Sequence, residues 1–80
     1  MESNIAVVAV IITDYSAVER VNALLHEFRD CVLGRLGIPY KQRNLSVISL
    51  VVDAPAEKIN GLSGKLGMIE GVKSKVLTAK

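Results

Sequence analysis

The chain has 80 residues, half of them hydrophobic, and its ten basic and eight acidic side chains leave a formal net charge of +2. Charges this balanced and scattered exclude the basic patch that binds nucleic acid or anionic membranes directly. The single cysteine, Cys31, excludes an internal disulfide, and one cysteine with one histidine argues against a closed structural metal site. So small and apolar a domain is expected to gain stability by oligomerisation.

The first residues resemble a targeting segment only in part. Residues 5–12 are apolar, but Glu2 stands where a signal peptide has basic residues, and no small-residue cleavage site follows. No apolar run approaches the roughly 18 residues that a membrane-spanning helix requires. We therefore expect a cytoplasmic protein with no membrane partner.

The first predicted elements are a strand and a helix. Residues 4–12 are mostly valine, isoleucine and alanine, which favours a strand that is covered on both faces. Ser16 and Glu19 have the spacing of a capping box, which predicts that a helix opens at Ser16. Apolar residues then recur at helical spacing from Val18 to Val32 and give this helix one buried face.

Glycines interrupt the helical pattern in the middle of the chain. Gly34 and Gly37 break the spacing, and a second strand is predicted over residues 31–39. A polar turn over residues 40–44 separates it from a third strand over residues 45–53, which is again rich in valine, isoleucine and leucine.

The last predicted elements are a second helix and a fourth strand. Proline is favoured at the first helical position, so Pro55 predicts the start of the helix, and Gly67 is a plausible C-terminal glycine. Gly71 precedes a fourth strand over residues 72–78, whose lysines would discourage pairing at a sheet edge.

The chain repeats itself at about half its length. Residues 4–12 align with residues 44–52 so that apolar residues match except where serine replaces alanine, and the apolar helix positions recur as well. Two βαβ units in succession indicate a ferredoxin-like βαββαβ fold, an α+β domain spanning residues 1–80. Its four-stranded antiparallel sheet would carry both helices on one face, with the first and third strands central. Chance similarity between valine-rich strands is the alternative reading of the repeat.

Two helices cover only one face of such a sheet, yet the first strand is apolar on both faces. We expect the uncovered face to pack on the sheet of another subunit. Gly61 and Gly64 project from the outer side of the second helix, where each costs about 1 kcal/mol relative to alanine. Close approach of another chain would explain them, as would a short, irregular helix. The residues assigned to the oligomer interface are Ala6, Val8, Val10, Gly34, Gly61 and Gly64.

Several kinds of chemistry lack the residues they need. The central strands have no aromatic residues on which an RNA-recognition domain would stack bases, and a single thiol cannot form the paired thiolates of a copper chaperone. His26 is the only imidazole, so we expect no nucleophilic triad, no enzyme activity, no metal and no cofactor. His26 is expected on the solvated side of the first helix, with a metal ligand shared across subunits as the alternative. Cys31 is expected as a small buried apolar residue, with a reactive thiol as the alternative.

The most distinctive segment is residues 34–40, Gly-Arg-Leu-Gly-Ile-Pro-Tyr. It is either a loop that contacts a ligand or subunit through Arg35, whose guanidinium can bind a carboxylate or phosphate, or a bulged edge strand with a solvated arginine. Residues 14–16 precede the first helix, where free N–H groups could hold an anion or simply be capped. The candidate ligand-binding residues are Asp14, Tyr15, Ser16, Arg35, Gly37 and Tyr40.

Three stretches carry a family resemblance: residues 34–40 (GRLGIPY), residues 46–55 (SVISLVVDAP), and residues 62–67 (LSGKLG) followed by Gly71-Val-Lys73. Together they resemble the iron-only hydrogenase system regulator family, over nearly the whole chain. The resemblance implies a fold like that of ACT regulatory domains and of the ligand-binding half of the nickel-responsive repressor. It also implies a regulator linked to hydrogenase maturation in an anaerobic bacterium.

The chain departs from those relatives in its functional residues. Residues 13–16 lack the glycine that amino-acid-binding ACT domains place after the first strand. The nickel site needs several histidines and a cysteine, and this chain has only one of each. A DNA-binding half has no room in 80 residues, so control of transcription would act through a partner. The leading interpretation is an ACT-like homo-oligomer, a dimer or tetramer, that binds a small-molecule effector or a protein partner. The alternative is a structural or protein-interaction module without a ligand.

Overall fold

Residues 2–79, which the computed structural model describes, alternate between strands and helices. Short 3-10 turns at Tyr15–Ala17, Arg29–Cys31 and Lys41–Arg43 connect some of them. The strands and helices are β1 (Asn4–Ile12), α1 (Val18–Glu27), β2 (Val32–Tyr40), β3 (Leu45–Ala54), α2 (Ala56–Gly67) and β4 (Val72–Thr78).

The four strands form one antiparallel sheet in the order β2-β3-β1-β4. This is the ferredoxin-like βαββαβ topology that the repeat predicts, and it is confirmed. The two most apolar strands, β1 and β3, lie in the centre because their backbone groups pair on both edges and their side chains fill the core. The edge strands are β2 and β4.

The core lies between the sheet and the two helices. Alternate residues of β1 and β3 point towards the helices, and full burial of such a side chain contributes about 1.5–3 kcal/mol. The largest fully buried side chains are Ile12, Leu50, Ile59, Leu62, Leu66, Val8, Val10, Val21 and Val52. Because both helices pack on this side, the opposite face of the sheet has no cover within the described residues.

The face of β1 that the sequence assigned to the oligomer interface is the wrong one. Ala6, Val8 and Val10 are at most 1% exposed, since they point into the core beneath the helices. The intervening residues, from Ile5 to Ile11, form the outward face of the strand. The assignment failed because both faces of β1 are equally apolar, so hydrophobicity could not distinguish the side that faces the helices.

The start of the first helix also differs from the prediction. Ser16 does not form a capping box with Glu19, because Ser16 lies in a 3-10 turn and α1 begins at Val18. The side chain of Asp14 caps that turn, accepting hydrogen bonds from the backbone N–H of Ser16 at 3.0 Å and from its hydroxyl at 2.7 Å. An aspartate two residues ahead therefore takes the role expected of the serine.

The other predicted boundaries are close to those observed. Strands β1 and β4 match their predicted ranges, while β2 starts at Val32 because Cys31 completes a 3-10 turn. Helix α2 starts at Ala56, so Pro55 occupies the position before the helix, with an extended ψ of 149°, and not the first turn. Neither helix is long and apolar enough to cross a membrane, within the part of the chain that the structure describes.

Candidate functional site

One face of the sheet is apolar and uncovered. Residues paired directly across antiparallel strands share a face, so the strand register defines this open face from β2 to β4. Its large apolar side chains are 37% to 73% exposed. They are Ile5, Val7 and Ile11 of β1, Leu36, Ile38 and Tyr40 of β2, Val47 and Val51 of β3, and Leu77 of β4. Such a contiguous patch is typical of an interaction surface.

Charged residues flank the open face. On β4, Lys73 pairs with Ile11 and Lys75 with Ala9, which places both lysines along one edge. Asp53 pairs with Ile5 at one end of the face, and its Oδ1 is buried without a hydrogen-bond partner among the described residues. An apolar centre with charged groups at its margin is the arrangement of a protein–protein interface.

A β-bulge in β2 determines which of its side chains face the helices. Val32 pairs with Val52 and Gly34 with Val51, so Leu33 is an extra residue in the strand. Val32 and Arg35 consequently face the same side, although strict alternation would place residues three apart on opposite sides. The distinctive segment at residues 34–40 is therefore a bulged edge strand, with Arg35 on the helix side.

Arg35 lies at a groove between α1 and β2 that has a volume of about 290 Å³. We call it the α1–β2 groove. Its floor is apolar, and its rim carries guanidinium, imidazole and amide groups. The lining residues are Asn22, Leu25, His26, Arg29, Val32, Arg35 and Leu50.

Hydrogen bonds to the protein hold both arginines of the α1–β2 groove. Arg35 donates from Nη2 to Oδ1 of Asn22 at 3.3 Å, and Arg29 donates from Nη1 to the backbone oxygen of His26 at 2.9 Å. Neither guanidinium forms an ion pair with a carboxylate among the described residues. None of the seven lining residues is acidic. The lining of the groove therefore carries net positive charge.

The candidate ligand-binding residues fall into two separate places. Residues 14–16 connect β1 to α1, and the hydroxyl of Tyr15 donates to the backbone oxygen of Leu45 at 3.3 Å. Leu45 pairs with Tyr40, so both tyrosines lie at one end of the sheet, and Tyr40 belongs to the open face. Arg35 and Gly37 lie further along β2, paired with core residues of β3.

The polar groups of Asp14 and Ser16 bond to each other. The hydroxyl of Ser16 lowers the pKa of the Asp14 carboxyl below its ordinary 3.8, and the Ser16 backbone N–H and the charge of Arg20 act in the same direction. This geometry is that of a local cap, which was the alternative interpretation of the segment. It leaves the carboxylate of Asp14 bound to Ser16 within its own turn.

Sequence reasoning missed Asn22, His26 and Arg29 as residues that line the groove together with Arg35. Asn22, His26 and Arg29 are spaced i, i+4 and i+7, which places them along one flank of the helix and its continuing turn. That spacing was visible in the sequence. The side on which Arg35 lies was not visible, because it depends on the bulge at Leu33.

The three glycines assigned to the oligomer interface are all exposed and have open space around them. Gly34 lies on the open face opposite Val51, and Gly61 and Gly64 lie exposed on α2, as predicted. A Cβ added at any of these three glycines would meet no atom within 4 Å.

Cys31 is buried and its thiol donates to the backbone oxygen of Phe28 at 3.1 Å. Within residues 2–79, no cluster of three or more histidine, cysteine or acidic residues could hold a metal ion.

The family model called TM1266-like, which describes an iron-only hydrogenase system regulator, matches residues 4–76. The chain belongs to this family. The solved structure of the uncharacterized protein TM1266 from Thermotoga maritima is similar to this TM1266-like chain, with a TM-score of 0.94 and 35% identity. The match covers 99% of this chain and 100% of that one. A search of curated proteins found no match.

Membership confirms the resemblance carried by the three stretches quoted above. The description of the TM1266-like family gives its members a proposed role as regulators of the iron-only hydrogenase system. It names a regulator and not an enzyme. In the TM1266-like chain, the first of those stretches is the bulged edge strand β2, which contributes to both the open face and the α1–β2 groove.

Proposed function

We propose that this chain is a regulatory, ACT-like module of the iron-only hydrogenase system, which forms a homo-oligomer and senses a small ligand. The observation that carries the proposal is the open face, where large apolar side chains from all four strands lie exposed. Family membership supplies the system in which the module acts. In this proposal the module is cytoplasmic and does no catalysis.

The proposed occupant of the open face is a second copy of the chain. Monomeric soluble proteins seldom expose a contiguous apolar patch that spans a whole sheet. Two identical faces related by a twofold axis would bury each other's apolar centre. Lys73 and Lys75 along β4 would stay at the margin, in contact with water, where a charge costs little.

Val7→Lys tests this assembly. Val7 lies between Val51 and Leu77 on the open face, so a lysine there would place a charge in the centre of the proposed interface. We expect the native chain to run as a dimer or tetramer at micromolar concentration and the variant to run as a monomer. The measurement is size-exclusion chromatography with light scattering.

Ala23→Lys is the matched control for this experiment. Ala23 is exposed in the middle of α1, on the helix side of the sheet, and it lies outside the open face, the α1–β2 groove and the glycines of α2. This control should keep the native oligomer. A native chain that remains a monomer at micromolar concentration, with the open face in water, would contradict the proposed assembly.

The ligand-sensing half of the proposal places the ligand at the α1–β2 groove. Strand β2 forms one wall of the groove and also presents Leu36, Ile38 and Tyr40 to the proposed partner subunit. A ligand that binds the assembled state more tightly than the monomer would therefore shift the population towards assembly. In thermal-shift measurements, a ligand that binds only the folded chain raises the melting temperature.

The alternative is a structural or protein-interaction module that uses the open face to dock on a different protein. The same exposed apolar patch favours it, since docking requires an apolar surface but no ligand. Thermal-shift screening separates the two: no stabilisation by amino acids, nucleotides, metals or organic acids would favour the docking module. Such a module would also exchange its self-association for a stoichiometric complex with another protein.

A further inference from the structure

The α1–β2 groove combines charge and apolar surface in a way that selects one class of ligand. We infer that it binds a small organic anion, whose carboxylate or phosphate group lies between Arg29 and Arg35 and whose short apolar part covers the groove floor. The inference deepens the proposed ligand sensing and rests on it for its biological role.

The positive charge of the groove favours an anionic ligand. Arg29 lies on one wall and Arg35 on the other, and neither has a carboxylate partner among the described residues. Guanidinium groups bind carboxylates and phosphates through two parallel N–H donors. Each arginine uses one N–H on the protein, so further donors remain for a ligand.

The arginines are positioned before any ligand arrives. The bond from Arg35 to Asn22 joins the edge strand to α1, and the bond from Arg29 to the oxygen of His26 holds Arg29 at the end of that helix. Fixing a long side chain in advance reduces the conformational entropy that binding would otherwise cost. His26 adds an imidazole N–H on the same flank of the helix.

The floor of the groove determines the rest of the ligand. Leu25 and Leu50 are buried core residues at its base, and half-buried Val32 closes the end beside the bulge. A volume of about 290 Å³ is near the lower limit for small-molecule sites, which run from about 300 Å³ upwards. The site therefore suits a short aliphatic or branched acid and is too small for a dinucleotide.

The test is a titration of the full-length, isotope-labelled chain followed by amide chemical shifts. The probes are 3-methylbutanoate, butyl phosphate and the uncharged 3-methylbutanamide. We expect at least one of the two anions to shift amides of α1 and β2 around the groove, and the uncharged amide to leave them unchanged. Comparing the two anions identifies the preferred head group.

Three arginine variants localise the binding. Arg35→Gln and Arg29→Gln should each weaken the binding of the active anion by roughly fivefold or more, since each removes a charge-assisted hydrogen-bond donor from a solvent-accessible site. Arg43→Gln is the matched control, because Arg43 is exposed in the turn between β2 and β3 and does not line the groove. Dispersed spectra establish that each variant is folded.

Three results would overturn the inference: no shift with either anion, equal shifts with the uncharged amide, or equal weakening by Arg43→Gln. The outcome is separable from that of the proposed assembly. If the chain is a monomer that binds the anion through Arg35, the anion site is supported and the proposed oligomer is contradicted. If the chain is an oligomer that binds neither anion, the proposed oligomer is supported and the anion site is contradicted.

Discussion

Gly71 illustrates, at the scale of a single residue, how the ends of two elements are held together. Its φ of +84° favours glycine, and a Cβ there would lie 2.5 Å from the Cβ of Asp14. Its carbonyl accepts hydrogen bonds from the backbone N–H of Thr13 at 2.7 Å and from the Thr13 hydroxyl at 3.1 Å. The close approach of these two loops therefore requires a residue without a side chain.

Gly71→Ala should lower the free energy of unfolding by about 2–4 kcal/mol, because an alanine would combine a left-handed backbone with overpacking against Asp14. Urea denaturation measures the change. Gly67→Ala is the control, since its Cβ would meet no atom within 4 Å and its φ is not positive. Equal unfolding midpoints for the two variants would contradict this account.

Asp14 gives the chain a pH-dependent contribution to stability. Because hydrogen bonds from Ser16 lower the pKa of Asp14 in the folded state, the ionised carboxylate stabilises the fold above the unfolded pKa of about 3.8. The contribution is lost as the pH falls through the lowered folded pKa. Asp14→Asn should therefore melt below the native chain at neutral pH, and the two melting temperatures should converge in acid.

Ser16→Ala separates this effect from a general loss of stability. The Ser16 hydroxyl is the largest cause of the lowered pKa, so its removal should reduce the pH dependence that Asp14 contributes. Melting curves recorded from neutral pH into acid supply both tests. A stability difference between Asp14→Asn and the native chain that stays constant over that range would exclude the proposed role of the charge.

At the scale of elements, α2 carries glycines where alanine would be more stable. Gly64 is exposed within the helix and a Cβ there would meet nothing within 4 Å. In the domain alone, Gly64→Ala should raise the free energy of unfolding by about 1 kcal/mol. Lys58→Ala, another exposed position of α2, is the control and should change it by a few tenths of a kcal/mol.

The outcome for Gly64 also bears on the predicted interface. If Gly61 and Gly64 permit close approach of another subunit, Gly64→Ala should weaken assembly in light scattering even though the helix itself gains stability. An oligomer that is unchanged by Gly64→Ala, together with a higher unfolding free energy, would remove Gly64 from the interface.

For the whole molecule, the sequence predicted the topology and strand order because these follow from strong signals. The half-length repeat and the apolar central strands led to the βαββαβ order, and the lysines of β4 indicated an edge. The outward face of β1 could not be predicted, because Val8 and Val7 are the same residue type on opposite faces. The lysines of β4 pair with outward residues of β1 and so mark the outward face, but this is visible only once the register of the two strands is known.

The candidate site was only partly predictable, for a related reason. Arg35 was identified from its guanidinium chemistry, while its neighbours Asn22 and Arg29 come from a helix whose orientation against β2 depends on tertiary packing. A bulge adds one residue to a strand without a distinctive sequence pattern, so counting alternate positions along β2 gives the wrong side for Arg35.

The additional residue in β2 has a consequence for variation in this family. If Leu33 were deleted, Val32 and Arg35 would lie two residues apart, and ordinary alternation would keep both of them pointing towards α1. Val32 would still pair with Val52 and Arg35 with Leu50, so the register of β2 would be unchanged. A relative that lacks this one residue would thus keep the same groove lining and lose only the local bend and twist that the bulge adds to its edge strand.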